Sequence, residues 1–322
     1  MQLYKLDSLG LVLTDRIDLL LCSASFEDRC RAIADHIDTS CVQSVAIARN
    51  RNHATFHKDH PSYLMKRFDG KCHDLILDTD NPLLGADGIW KLLSSQFRDA
   101  EKNILIDIST FTHEALLIIL RSVRTLIRPQ DQVRFAYVPA LEYSVGDIDS
   151  EKWLSKGIRE IRSVIGYPGE VLPSRKIHLV VLVGFETERA RAVIEAYEPS
   201  HISLGFSTEA KSTSKKNFAA NEFFHKKMMT LFPSSKSFTF SADDFLETAM
   251  ALKGVVASQP EYNVVIAPLN TKVSTIGSGL AAIADDTIQL CYAQAELYNF
   301  DKYSCASDSC QLFTIPGLGR AG

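Results

Sequence analysis

The sequence predicts an α/β fold of two tandem units, each a parallel sheet covered by helices, the two related by internal duplication. Three matched blocks predict it. The segment LLLCSASFEDRCRAIADHI from Leu19 aligns with HLVVLVGFETERARAVIEAY from His178, setting Phe26 and Glu27 against Phe185 and Glu186. NILIDISTFTHEALLIIL from Asn103 aligns with NVVIAPLNTKVSTIGSGL from Asn263, and RFAYVPALEYSVG from Arg134 with QLCYAQAELYNF from Gln289. Blocks in one order, at offsets of about 155 to 160 residues, mark a repeat. Because each block joins an apolar run to a segment of helical spacing, each repeat reads as a Rossmann-like unit.

The elements follow in order. Leu19 to Cys22 is a strand, Ser23 to Ser25 a loop, and Phe26 to Ile37 a helix; Leu179 to Val183, Gly184 and a helix to Tyr197 repeat that unit. Ser44 to Ala48 and His201 to Phe206 form second strands, each followed by a polar, partly basic loop. After helix-rich stretches, Ile104 to Ile108 and Val264 to Ala267 are continuous apolar runs, the pattern of strands buried on both faces. Asp107 is the polar interruption in the first of them. Arg134 to Val138 and Thr287 to Tyr292 add a last strand to each half. The divisions are therefore 1–146 for the first unit, 147–176 for a connector with one short helix and a linker, and 177–322 for the second unit.

Composition narrows the function classes. The chain has 322 residues, enough for two domain cores. A hydrophobic fraction of 46% and a charged fraction of 23% are those of a soluble globular protein. The net charge of -4 gives no strong nucleic-acid signal and no pull toward an anionic membrane. Charged residues interrupt the apolar amino terminus, so the expectation is a cytoplasmic protein with no membrane span. Seven scattered cysteines are expected as reduced thiols.

In open parallel sheets ligands bind outside the carboxyl ends of the strands. The polar clusters fall there. Ser25, Glu27 and Arg29 follow the first strand, and Asp107, Ser109 and Thr110 end the fourth; the second half has Gly184 and Glu186, then Asn270, Thr271 and Lys272. Helix amino termini at these places offer unpaired N–H groups to phosphate or carboxylate. Plain helix capping explains Ser109, Thr110 and Asn270 equally well. Arg49 and Arg51, and Lys211, Lys215 and Lys216, are basic loop residues suited to a phosphate-bearing ligand in a cleft between the halves, or to simple solvation.

Other constellations weigh less. His53, His57 and His60 lack partners at metal-ligand spacing, and Cys305 and Cys310 lack a second pair, so no metal is expected and the histidines read as a solvated loop. Asp107, Ser109 and His113 have the residue types of a hydrolytic triad, but within seven positions they are expected to diverge, and no Gly-x-Ser-x-Gly elbow is present. Gly277 and Gly279 suggest close helix packing. Tyr143 and Tyr298 suit either base stacking or core closure.

Pro268-Leu269-Asn270-Thr271-Lys272 and Gly184-Phe185-Glu186 resemble the two ligand-facing motifs of the CRISPR-associated Rossmann-fold (CARF) sensors. Asp107-Ile108-Ser109-Thr110-Phe111 lacks the lysine of that pattern, and no effector domain follows. The resemblance implies a nucleotide-type small-molecule ligand, no bound cofactor, and a separate protein effector in a bacterial defence setting; a homo-oligomer stays open. Two other readings remain: an enzyme acting on a nucleotide or nucleoside through Asp107 or Glu27, and a structural subunit of a larger complex.

Overall fold

The computed structural model describes residues 1–51, 59–98, 100–144, 153–300 and 303–319. The chain forms two compact units, Met1–Ala140 with Cys305–Gly322, and Leu141–Ser304. The first contains β1 (Gln2–Lys5), α1 (Leu9–Val12), β2 (Leu19–Ala24), α2 (Ala32–His36), β3 (Val45–Asn50), α3 (His60–Arg67), β4 (Cys72–Leu77), α4 (Pro82–Gln96), β5 (Asn103–Asp107), α5 (His113–Leu126) and β6 (Gln132–Tyr137). A short β7 (Ala140–Tyr143) leads to β8 (Ser155–Pro168), β9 (Ile177–Leu182), α6 (Glu188–Tyr197), β10 (His201–Ser207), α7 (Lys215–Leu231), β11 (Lys236–Phe240), α8 (Phe245–Ala257), β12 (Asn263–Pro268), α9 (Lys272–Ala284) and β13 (Gln289–Tyr298). The chain then makes β14 (Ser304–Ala306) and β15 (Ser309–Phe313).

The fold is α/β with two Rossmann-like sheets. The first sheet has the order β1-β15-β6-β5-β2-β3-β4 and the second β11-β10-β9-β12-β13-β8. Within each, five strands run parallel, and numbered from the first parallel strand of the unit both read 3-2-1-4-5. The order reverses between β2 and β5 in one unit and between β9 and β12 in the other. Those reversals are the switch points at which connections diverge and leave a crevice.

The central strands are buried on both faces because their sequences carry little but apolar residues. Every residue of β2 and of β12 is buried, and so are four of the five in β5. Leu20, Ile33, Ile47 and Leu105 centre one core, and Val181, Val193, Leu204 and Val265 the other. Thr112 and Thr271 start α5 and α9, each hydroxyl accepting from an N–H three residues on, Ala115 and Ser274. The caps are thus Thr112 and Thr271, not Ser109, Thr110 or Asn270, which capping alone would have explained.

Three expectations are corrected. Residues 155–168 form no connector helix; they are the 14-residue strand β8, antiparallel to β13. Ile158, Ile161 and Val164, three residues apart among polar and charged neighbours, fit the stripe of a helix. Gly166, at a φ of 88°, lies within one of the two register shifts against β13, and Gly157, at 68°, lies against Glu296. Residues 147–152 of that connector lie outside the described residues. Residues 305–319 belong to the first unit, where β15 joins β6 and Phe313 stacks on Phe135 at 5.6 Å. His60 is no solvated loop residue: it is buried at the start of α3, 3.2 Å from the Asp28 carboxylate, while His53 and His57 lie outside the described residues.

Gly277 lets α9 meet α8, as the sequence suggested. A Cβ there would lie 2.6 Å from Thr248 Cβ and 2.7 Å from the Phe245 carbonyl oxygen. Helix propensity alone favours Ala over Gly by about 1 kcal/mol. Overpacking against a backbone oxygen outweighs it, and Gly277→Ala should lower stability by about 1 to 3 kcal/mol in urea unfolding. An unchanged midpoint would mean that the two helices part freely.

Candidate functional site

At the switch point of the first unit, the turn after β2 folds a buried ion pair under itself. Arg29 Nη2 lies 2.6 Å from Glu27 Oε2, and the two side chains are only 3% and 8% exposed. Arg29 Nε also donates to Glu27 at 3.1 Å, and Nη1 donates to the Val138 carbonyl at 2.9 Å. The guanidinium thereby ties the end of β2 to the end of β6. Ser25 supports the turn, its hydroxyl accepting from the Glu27 N–H at 3.4 Å.

Asp107 ends β5 beside this pair. Its Oδ1 accepts from the Ser109 N–H at 3.0 Å and from the Ser109 hydroxyl at 2.5 Å, and the same hydroxyl accepts from the Val138 N–H at 2.9 Å. Thr110 reaches across the switch point, donating to the Ser23 carbonyl at 3.1 Å. Burial pushes the Asp107 carboxyl up to about 6, against the two Ser109 hydrogen bonds and the Arg29 charge, which pull it down. Asp107 and Ser109 therefore converge, contrary to the expected divergence of a triad. The Ser109 hydroxyl is nonetheless spent in both directions, and His113 begins α5. Burial also holds the nearby Cys30 and Cys310 thiols up at about 12, far from the thiolate form.

The second unit repeats the carboxylate–guanidinium pair with other partners. Glu186 pairs with Arg189 and accepts from the Ser155 N–H at 3.1 Å and its hydroxyl at 2.8 Å, tying the β9 turn to β8. Burial disfavours the charged Arg189, but the Glu186 carboxylate overrides it and raises the guanidinium above its usual range. At this switch point the backbone itself closes in: a Cβ on Gly184 would sit 2.0 Å from the Leu269 carbonyl oxygen. Asn270 Nδ2 donates to the Val183 carbonyl at 2.7 Å, and Asn221 Nδ2 to the same carbonyl at 2.6 Å. The Thr271 hydroxyl donates to the Ala242 carbonyl, and Lys272 is the half-buried first residue of α9.

The basic loop residues find carboxylates within their own units. Arg49 pairs with Asp74, Arg51 lies 4.0 Å from Asp78, and Lys211 pairs with Glu247 at 2.7 Å. Lys215 and Lys216 face Glu209 and Glu142 at 3.7 and 2.6 Å. Tyr143 stacks on Phe185 at 4.6 Å, and Tyr298 and Tyr303 extend that aromatic group. Among the described residues no group of three or more His, Cys, Asp or Glu side chains is arranged to hold a metal.

Of the sequence-predicted residues, the structure gathers Ser25, Glu27, Arg29, Asp107, Ser109 and Thr110 at one switch point. It sets Gly184, Asn270 and Thr271 at the other and holds Arg49 and Lys211 in separate ion pairs. Sequence reasoning missed Asn221, Ser155 and the Val138 backbone. Asn221 had a signal: Asn217, Asn221 and His225 recur every fourth residue along α7 on its buried side, where Phe224 and Met228 also lie.

No known protein family and no curated protein matches the sequence. Among solved structures, a protein from Pseudomonas syringae provisionally assigned as a methyltransferase is 10% identical, with a TM-score of 0.23 over 43% of this chain and 76% of its own. The cytoplasmic domain of a prokaryotic cation chloride cotransporter is 9% identical, with a TM-score of 0.25 over 89% of this chain and 98% of its own. Both scores are too low to bear on function. Among the described residues no helix is long and apolar enough to cross a membrane.

Asp107 gives the site a pH signature. Its folded value of about 6 lies above the ordinary 3.8, so the folded state favours the neutral acid. Ionisation inside the fold costs stability above pH 6, and that cost disappears as pH falls toward 3.8. Asp107→Asn should remove roughly 2 to 3 kcal/mol of the difference in stability between pH 8 and pH 4, read by urea unfolding at both. An unaltered pH profile would show that Asp107 titrates normally.

Proposed function

We propose that the chain is a cytoplasmic ligand sensor or accessory subunit that takes a nucleotide-type small molecule at the carboxyl edge of its sheets and signals to a separate effector protein. What supports it is the recurrence, on two sheets whose five parallel strands share one order, of a Glu–Arg pair after the first of those strands, Glu27–Arg29 and Glu186–Arg189. In each sheet the fourth of those strands leads into a long helix, α5 or α9, whose amino terminus a threonine caps. The CARF-like motifs around Gly184 and Lys272 point the same way, toward a defence role with the effector in another chain. The hydroxyl of Ser109 and the thiols of Cys30 and Cys310 are held out of nucleophilic chemistry, which favours binding over turnover.

One observation favours a second reading. A buried carboxyl held near 6 at a switch point has the acidity of a general acid or base near neutral pH. Asp107, with Glu27 holding Arg29 beside it, would then act on a nucleotide or nucleoside.

A panel of mono-, di-, cyclic and NAD-type nucleotides separates these readings, with melting shifts recorded and the mixtures chromatographed for products. The sensor reading expects a rise in melting temperature for one ligand class, no product, and loss of the rise in Lys272→Ala. The enzyme reading expects a product peak that disappears in Asp107→Asn while binding survives. Silence on both counts rejects both and leaves the structural-subunit reading.

A further inference from the structure

The amino-terminal edge of the second sheet holds a cluster of rings that the switch points do not use. His178 lies at the start of β9 with its side chain fully buried, and its neighbours in the sheet are His201 on β10 and Val264 on β12. The His201 ring meets it edge to face at 4.6 Å, and Tyr262, in the turn before β12, lies 6.2 Å from His178 and 5.8 Å from His201. Three segments thus meet on one imidazole.

That imidazole is held in its neutral form. Nε2 lies 2.9 Å from the Ser203 hydroxyl, whereas Nδ1 is buried with no hydrogen-bond partner among the described residues. A neutral ring needs one N–H, which Ser203 can accept; a charged ring carries two, and the second would have no acceptor. The nearest charges have the wrong sign. His201 from β10 and Lys236 from β11 both oppose a positive His178, and Glu261, on the same turn as Tyr262, acts on His201. Burial first, then those two neighbours, push His178 down to about 4 from the ordinary 6.5.

The same edge fastens the linker that enters β9. The Asn263 side chain donates to the Leu172 and Arg175 carbonyls at 2.8 and 3.0 Å and accepts from the Leu172 N–H at 2.9 Å, and the Asn263 N–H donates to the Lys176 carbonyl at 2.8 Å. The Ser200 N–H donates to the Ile177 carbonyl at 3.0 Å. Parting β9 from β10 and β12 at His178 would undo these bonds together.

We propose that the cluster is an acid-released clasp: a proton on His178 parts the amino end of β9 from β10 and β12 and frees the linker over residues 169–176, while the first unit stays folded. The closed form binds that proton poorly and the opened form binds it at the ordinary 6.5, so the clasp is fully closed above pH 6.5 and loosens as pH falls toward 4. The direction is opposite to that of Asp107, whose folded state favours the neutral acid. The clasp needs neither the proposed ligand nor Lys272.

The test is hydrogen–deuterium exchange of the full chain at pH 7 and pH 5, corrected for the intrinsic exchange rate at each. Segments 170–180, 199–204 and 260–265 should lose protection about 20-fold at pH 5, as expected for an opened form titrating at 6.5 and a closed one at about 4. The strands β2 and β5, beside Asp107, should not lose it. In His178→Gln, whose amide can keep the Ser203 hydrogen bond and does not titrate, the loss should vanish. The double variant His178→Leu/Ser203→Ala removes ring and hydroxyl together and should give the same flat profile, which keeps the test open if the glutamine variant does not fold. The proposal is overturned if the edge keeps its protection at pH 5, if both units lose protection alike, or if the loss persists in a folded variant without His178.

Discussion

The buried Arg29 guanidinium is the constraint on which the carboxyl edge of the first unit depends. A charge with 3% exposure is costly to desolvate, and it is tolerated only because Glu27 receives two of its N–H groups and the Val138 carbonyl a third. Val138 also donates its N–H to Ser109, and Ser109 in turn donates to Asp107. One network thus runs from the turn after β2, through the end of β6, to the end of β5. Removing either member of the Glu27–Arg29 pair would strand the other in a buried setting, a loss of about 3 to 5 kcal/mol. The position of Asp107 follows from that network, whose Ser109 hydrogen bonds and Arg29 charge work against the burial that pushes its carboxyl up to about 6.

The two units share a strand order and solve the switch point differently. In the second, Gly184 brings the backbone against Leu269, and two asparagine amides converge on the Val183 carbonyl. Those hydrogen bonds are neutral and insensitive to pH in the physiological range. In the first, a threonine hydroxyl bridges the same gap, and an ionisable carboxyl lies beside it. Partners of the Glu–Arg pair differ in the same sense: Arg29 reaches β6, whereas Glu186 reaches the antiparallel edge strand β8.

Much of this was legible in the sequence, and the parts that were not share a cause. Continuous apolar runs gave away β2, β5, β9 and β12, since strands buried on both faces can carry little else. The edge strands β4, CHDLIL, and β11, KSFTF, are half exposed and mixed in polarity, so no periodicity distinguishes them from loop or helix. β8 is the strongest case: its apolar residues fit a helical stripe, and only pairing with β13, more than a hundred residues later, decides for the strand. Ser25, Glu27, Arg29, Asp107, Ser109 and Thr110 were found because strand ends name themselves once the strands are known. Their hydrogen-bond partners were hidden because Val138 contributes backbone only, and backbone leaves no trace in residue type.

Ligand chemistry at a switch point requires polar atoms that can change partners. In the second unit the amides of Asn270 and Asn221 are committed to a buried carbonyl, and a ligand taking their place would leave Val183 O without a donor, at about 1 to 3 kcal/mol. The first unit bridges its reversal with other groups. Burial pushes the Asp107 carboxyl up to about 6, and the Thr110 hydroxyl donates to the Ser23 carbonyl at 3.1 Å, apart from the Arg29 network. The two units therefore share a strand order while their reversals differ in chemistry: neutral amides converge on the Val183 carbonyl in one, and a carboxyl pushed up to about 6 lies beside the other.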